Sequence, residues 1–289
     1  MAIRGRDGTA SAGSSPGQFT GWLDAGADPS KASIARVYDY WLGGHCNLVV
    51  DRELGERMAT LDPRIPAACR ANRAFLGRAV RFLAGQGVRQ FIDLGSGIPA
   101  AGNVHEIAQQ AAPSSRVVYV DRDPVAVAEG RKLLEGHDRA AVVQADVREP
   151  GRILSAPETL RLIDFSQPVA VMLVAILHFV LDADDPYRIV AQFRDVAAPG
   201  SYLVISHVAG EAMPRLTAAV QDAYNDRGAD GQARSRPEIE RFFGDWDPVE
   251  PGLAYAPVWR PDRPEDVPAS PERFWFLAGA AVKPVPERM

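Results

Sequence analysis

Between residues 90 and 208 the chain repeats one alternation, and that alternation leaves it one fold class. A short β-rich run begins at Gln90, followed by VVYVD (117–121), AVVQAD (141–146), PVAVMLV (168–174) and GSYLVISHV (200–208). Helical segments separate the runs, and two of them open on a cap followed by proline, Asp123 with Pro124 and Asp185 with Pro186. Near-continuous apolar strands joined by helices make a parallel sheet covered on both faces. The expected class is α/β, a Rossmann-like, doubly wound, mostly parallel sheet.

Flanking segments complete the expectation. From Ser33, the positions Ile34, Val37, Tyr38 and Trp41 fall on one helical face, and Gly43 with Gly44 supplies the stop. A second helix is expected over 71–84, ending at Gly85 and Gly87, with a loop between the two. Beyond the fifth strand, 212–225 reads as helix, and Ser235 with Glu238 has capping-box spacing. LAYAPVW (253–259) and FWFLAGAAV (274–282) follow with no helix between them, so an antiparallel terminal hairpin is expected. Residues 8–17 are dominated by Gly, Ser and Ala, a composition too poor in apolar surface to offset ordering entropy. The division is therefore an arm over 1–28 and a single domain over 29–289, with a helical cap at 29–88 and a Rossmann-like core at 89–289.

Composition narrows the partners. The formal net charge is −5, so the chain has no basic footprint for a phosphate backbone, and nucleic acid is not expected. The two cysteines, Cys46 and Cys69, have no Cys/His companions at metal-ligand spacing; neither a disulfide framework nor a metal site is expected. No apolar h-region opens the chain and no window approaches about 18 apolar residues, so a cytoplasmic protein without a membrane role is the expectation.

In an open α/β sheet, ligands sit beyond the carboxyl ends of the strands. Those ends carry Asp93 to Gly97, Asp121, Asp146, Ala175 to His178, and Ser206 with His207. A lone strand-end aspartate is usually a helix cap; three in succession, beside the turn of Gly95, Ser96 and Gly97, suit a ligand rich in hydroxyl and amine donors. The two glycines permit close backbone approach, and Pro99 is expected to start the next helix. A dinucleotide turn would use Gly95, Gly97 and Ala100. Asp93 opposes that reading, because a fixed negative charge repels a diphosphate and attracts an ammonium group. Asp121 follows Gly97 at about the 20-residue spacing of the acid that accepts from ribose hydroxyls. Ribose at Asp121, an adenine amine near Asp146 and an ammonium near Asp93 together describe S-adenosylmethionine.

With those residues in place, the sequence resembles the class I S-adenosylmethionine-dependent methyltransferases, and in detail a bacterial family of them. The resemblance rests on PSKASIARVYDYWLGG (29–44), RANRAF (70–75), QFIDLGSGIP (90–99), VYVDRDP (118–124), LHF (177–179) and GSYLVISH (200–207). It implies a seven-stranded sheet with an antiparallel last strand. It also implies cofactor contacts at Asp93, Gly95, Ser96, Gly97, Asp121, Asp146 with the adjoining Val147, and Ala175 after the fourth strand. Arg122 is expected among the cofactor contacts too, although it stands beside the ribose acid where the resemblance implies a small or polar residue.

Methyl transfer needs an aligned nucleophile and, for some acceptors, a base. His178 and His207 are the candidates, with His178 preferred for its place after the fourth strand; either can equally be a hydrogen-bonded structural residue. The acceptor, a small molecule, is expected among Arg36, Tyr38, Trp41, Asn72 and Arg73. The alternative for the helix of residues 36–41 is a buried stripe of Val37, Tyr38 and Trp41 with Arg36 and Asp39 solvated. Phe274, Trp275 and Phe276 read as core of the terminal hairpin. Two other functions stay open: an NAD(P)-dependent oxidoreductase using the same glycines, and a non-catalytic S-adenosylmethionine-binding protein.

Overall fold

A computed structural model describes residues 21–100, 102–210 and 231–286. Helices α1 (Ile34–Leu42), α2 (Val49–Leu61) and α3 (Ile65–Gly85) precede the sheet. Then follow β1 (Gln90–Leu94), α4 (Val104–Ala111), β2 (Arg116–Asp121), α5 (Pro124–Leu133) and β3 (Ala140–Gln144). The short α6 (Pro150–Leu154) and α7 (Pro157–Leu162) lead to β4 (Ala170–Val174), then α8 (Pro186–Val196) and β5 (Tyr202–Val208). After α9 (Arg236–Glu240) come β6 (Asp247–Pro248), β7 (Ala254–Tyr255) and β8 (Phe276–Val282). The expected helix over 212–225 lies outside the described residues.

The strand order is β3-β2-β1-β4-β5-β8-β6, with β7 also on β8. The first five strands are parallel; β8 runs antiparallel to β5 along its whole length, from Tyr202 opposite Val282 to Val208 opposite Phe276. β6 and β7 pair with different ends of the other edge of β8 and together fill the seventh place in the sheet. Only Ala254 and Tyr255 of the expected hairpin strand pair with β8. Pro257 lacks the N–H a ladder needs, and the chain turns into a 3-10 segment that delivers Trp259 to α3. There Trp259 meets Phe75 edge-on, ring centres 5.1 Å apart.

Strand alternation builds two cores. Ile92, Val118, Val171, Leu203 and Ile205 point to the face packed by Phe193 of α8. Phe91, Val117, Tyr119, Met172 and Val204 point to the face packed by Phe75, Ala79, Val80 and Leu83 of α3. The same period of two places Asp93, Asp121 and Ser206 on the α3 side and His207 on the other.

The sequence does not anticipate α2, which fills the expected loop, nor the start of α3 at Ile65. In α2 only Leu54 and Met58 are buried apolar positions, too few to reveal a period. Within residues 21–28, assigned to the arm, Trp22 and Ala27 are buried: Trp22 packs with Val125 and Ala126, and its indole donates to Glu129 Oε1 at 2.8 Å. Among the described residues no helix is long and apolar enough to cross a membrane.

Candidate active site

The strand order reverses between β1 and β4, and a cavity of about 490 Å³ opens at that point. It is lined by Asp93, Gly95, Ser96, Gly97, Asp121, Arg122, Asp146, Val147, Ala175 and His178. Tyr38, Trp41, Asn72 and Arg73 close it from α1 and α3. The three aspartates thus share one cavity. Arg36 and His207, both expected at the site, do not line it.

Asp93 is 4% exposed, and its carboxylate accepts no hydrogen bond from any described residue. Burial pushes it up to about 7, Arg73 draws it down and Asp121 pushes it further up. Arg73 bridges to the next loop through Nη2, which donates to Gly102 O at 3.1 Å, while its buried Nε has no partner. A carboxylate and a guanidinium therefore sit on the same wall with hydrogen-bonding capacity to spare.

Asp121 holds the glycine turn. Its Oδ2 accepts from Gly97 N–H at 2.7 Å and its Oδ1 from Asp123 N–H at 2.8 Å; burial nevertheless pushes its pKa up to about 6. The two glycines serve different needs. Gly95 has φ +70°, and a Cβ there would lie 2.5 Å from Ile176 Cγ1, so it accommodates the chain's own side chain. Gly97, at φ +66°, would direct a Cβ into open space within 4 Å, and it is the glycine that leaves room for a ligand.

Pro99 does not begin a helix. α4 starts at Val104, where Asn103 and Glu106 form a capping box and Glu106 Oε2 accepts from Gly102 and Asn103 N–H at 3.1 and 2.9 Å. The donors a diphosphate would use at a helix N-terminus are partly consumed by a carboxylate.

Asp146 is clasped by Arg148, at 2.6 Å from Nη2 and 3.0 Å from Nε, and by Arg122 at 3.2 Å. Burial alone would raise its pKa; the Arg148 hydrogen bonds and the two positive charges hold it at about 2. Arg122, the unexpected residue, is thereby an exposed partner of the neighbouring strand end.

A buried polar chain joins the cavity wall to the sheet. Ser206 Oγ donates to Asn72 Oδ1 at 2.6 Å, Asn72 Nδ2 donates to the Tyr38 hydroxyl at 3.0 Å, and Tyr38 donates to Cys69 O at 3.0 Å. Burial raises both the Tyr38 phenol and the Cys69 thiol, which stay protonated. Arg36 is neither solvated nor in the pocket: it is buried, donating to Asp51 Oδ2 at 2.7 Å and to Lys31 O at 2.6 Å. Asp39 is also buried, its Oδ2 accepting from Cys46 N–H and Asn47 Nδ2, both at 2.8 Å.

The two histidines part company. His178, on the 3-10 turn Leu177–Phe179 after β4, lines the cavity, and its Nδ1 has no partner. Burial, with His207 and Arg234 nearby, lowers it well below the ordinary histidine range. His207 is fully buried on the opposite face of β5, its Nδ1 against Val208 O at 2.9 Å and its Nε2 against Arg234 Nη1 at 3.0 Å. Burial holds it at about 3, and it acts as a strut.

Sequence reasoning missed Arg234, which also donates to Leu177 O at 2.9 Å and Val180 O at 2.8 Å and so fixes the turn carrying His178. No local signal marks it, because its side-chain partners lie 27 to 57 positions away. Trp275, read as core, does pack in a buried cluster with Val37, Trp41 and Met58, but with φ +59° just before β8 it also lines the cavity. Ser206 was recoverable from the alternation of β5. Among the described residues no group of three or more His, Cys, Asp or Glu is placed to hold a metal ion.

The model of a family described as S-adenosyl methyltransferase matches residues 20–284. A candidate methyltransferase from Thermobifida fusca YX is 42% identical, covers 93% of this chain and 98% of its own, and superposes with a TM-score of 0.85. A DUF574 family protein from Streptomyces avermitilis MA-4680 is 40% identical over 89% of this chain and 99% of its own, with a TM-score of 0.86. An O-methyltransferase family protein from Burkholderia thailandensis, 14% identical over 93% of this chain and 70% of its own with a TM-score of 0.51, shares the fold. No curated protein matches the chain. On the family match and these two close relatives, the chain belongs to the S-adenosyl methyltransferase family.

Proposed function

We propose that this protein transfers a methyl group from S-adenosylmethionine to a small molecule held in the same cavity, in the cytoplasm. The observation that carries the reading is Asp93: a buried carboxylate with no hydrogen-bond donor among the described residues, in one cavity with Asp121 and Asp146. An ammonium group relieves that burial, and Arg73 beside it suits the carboxylate of the same amino-acid tail. Asp121 retains lone pairs for ribose hydroxyls, Gly97 leaves room for the sugar, and Asp146 with Val147 borders the base. When bound, the cofactor supplies an electrophilic methyl carbon on a sulfonium sulfur. The chain's residues then have to hold the acceptor in line, exclude water and receive a proton where the acceptor loses one.

The cavity volume of about 490 Å³ and the net charge of −5 favour a small acceptor over nucleic acid, and no membrane role is assigned. Asp93 and the carboxylate-capped start of α4 speak against the dinucleotide alternative. Calorimetric titration tests the reading: S-adenosylmethionine and S-adenosylhomocysteine bind and NADH does not. Binding without S-adenosylhomocysteine production from any member of an acceptor library would leave a sensor rather than an enzyme.

A further inference from the structure

His178 stands on a fastened turn in the cavity wall. Arg234 donates to Leu177 O at 2.9 Å and to Val180 O at 2.8 Å, and Gln232 N–H donates to His178 O at 2.6 Å. The imidazole packs against Phe179, Phe276 and His207, with ring centres 4.2, 6.0 and 5.5 Å away. Backbone and ring are both held, as a preorganised polar group has to be.

The two ring nitrogens differ. Nδ1 is sealed and has no partner, so nothing in the cavity reaches it. Nε2 is not sealed, no described residue hydrogen-bonds it, and the residue lines the cavity; it is the nitrogen that a bound molecule meets. The seal on Nδ1 decides where the proton sits. A proton there would make a buried N–H without an acceptor and near a cation, Arg234, whereas a lone pair there leaves only an idle acceptor. The neutral ring therefore carries its hydrogen on Nε2. A second proton would have to go to Nδ1 and create that same orphan donor. The charged and titratable groups facing the ring oppose it as well: His207 on β5, and Arg234 before α9, which the exposed Asp182 carboxylate pairs at 2.7 Å. Burial acts in the same direction and holds the pKa of His178 well below the ordinary histidine range. Such an imidazole has no site for a further proton, but it has one hydrogen bond to give.

We propose, on the methyltransferase reading, that His178 meets the methyl acceptor as a neutral hydrogen-bond donor through Nε2–H and is not its base. The lone pair it engages belongs to a heteroatom other than the attacking one, since a hydrogen bond to the attacking pair would lower its nucleophilicity. The acceptor is thus a molecule that carries a hydrogen-bond-accepting group, of the carbonyl kind, beside its nucleophile. The attacking atom bonds the methyl carbon with its own lone pair, the electron pair of the broken carbon–sulfur bond stays on sulfur, and a proton lost by the acceptor goes to solvent rather than to the ring. His178 orients; it does not deprotonate.

Two measurements test this. Long-range proton–nitrogen correlation spectra of the protein labelled with nitrogen-15 histidine, free and with S-adenosylhomocysteine, report the tautomer and titration of all five histidines. The His178 signals are identified by their absence from His178→Gln or, by elimination, from single glutamine variants of the others. The expected result is a proton on Nε2 and no midpoint between about pH 5.5 and 8.5, the range that brackets an ordinary histidine. A proton on Nδ1, or a midpoint inside that range, would overturn the assignment. Kinetics use the member of the acceptor library that forms S-adenosylhomocysteine fastest. Glutamine places an amide N–H near the position of Nε2 and supplies no base, so His178→Gln is expected to keep kcat/KM within about fivefold of wild type with the same pH profile, whereas His178→Leu should lose about tenfold or more, as for one lost hydrogen bond. A base would be missed equally in both variants, so equal losses would disprove the donor role. Affinity for S-adenosylmethionine within about threefold of wild type in both variants verifies their folding. A library with no active member bears on the methyltransferase reading alone, because the tautomer and the titration still decide the state of the ring.

Discussion

Ser206 Oγ donates to Asn72 Oδ1 at 2.6 Å and accepts from Ala175 N–H at 3.0 Å, so one hydroxyl couples β5, the end of β4 and α3 at the cavity wall. Ser206→Ala leaves the Asn72 carbonyl buried without its donor. The expected cost is about 1–3 kcal/mol, seen as a melting-temperature drop of roughly 2–12 °C for a domain of this size. An unchanged melting curve would show that the chain of bonds carries no stability.

Asp93 makes cofactor affinity depend on pH. Its folded pKa of about 7 lies above the unfolded value of 3.8, so the ligand-free protein is favoured below pH 4 and loses that advantage as pH rises through 7, where the buried acid ionises. An ammonium ligand binds the ionised form. Affinity for S-adenosylmethionine should therefore rise with pH up to about 7 and then level off, approaching tenfold per pH unit below it. In Asp93→Asn the remaining dependence should lie below about 6, where Asp121 titrates. Calorimetry across pH 5.5–8.5, chosen as roughly one and a half units either side of that value, reads the difference; a flat wild-type profile would refute the role of Asp93.

Gly95 and Gly97 should respond oppositely to alanine. Gly95→Ala drives a methyl to 2.5 Å from Ile176 Cγ1 and should be severely destabilising or insoluble. Gly97→Ala meets no neighbour within 4 Å and pays mainly the left-handed backbone strain of about 1–2 kcal/mol. It should fold yet lose cofactor binding, at least tenfold by calorimetry. Equal stability of the two variants would contradict the division of labour.

Arg234 holds the turn bearing His178 through the carbonyls of Leu177 and Val180. Arg234→Met removes both donors and should cost about 2 kcal/mol or more. The Val180 amide, which donates to Leu177 O at 3.2 Å, should exchange with deuterium at least tenfold faster. Unchanged exchange there would show that the turn holds itself.

The sequence by itself determined the class of fold and the identity of the strand ends. Hydrophobic period and capping residues are local, and the α/β sheet with an antiparallel last strand, α1, and the capping box at Ser235 follow from neighbours within one or two turns. The cofactor side was legible for the same reason: in a parallel sheet, whatever follows each strand arrives at one edge, so Asp93, Asp121 and Asp146 had to meet. Side-chain direction was decided by tertiary structure. Alternation on β5 sends Ser206 to the cavity and His207 to the far core; adjacent letters of the sequence thus enter different environments. Arg36 becomes a buried ion-pair partner because α2, invisible to periodicity, supplies Asp51. Trp275 and Arg234 reach the site only through contacts between segments far apart in the chain, and no local pattern encodes a partner that the fold has yet to bring near.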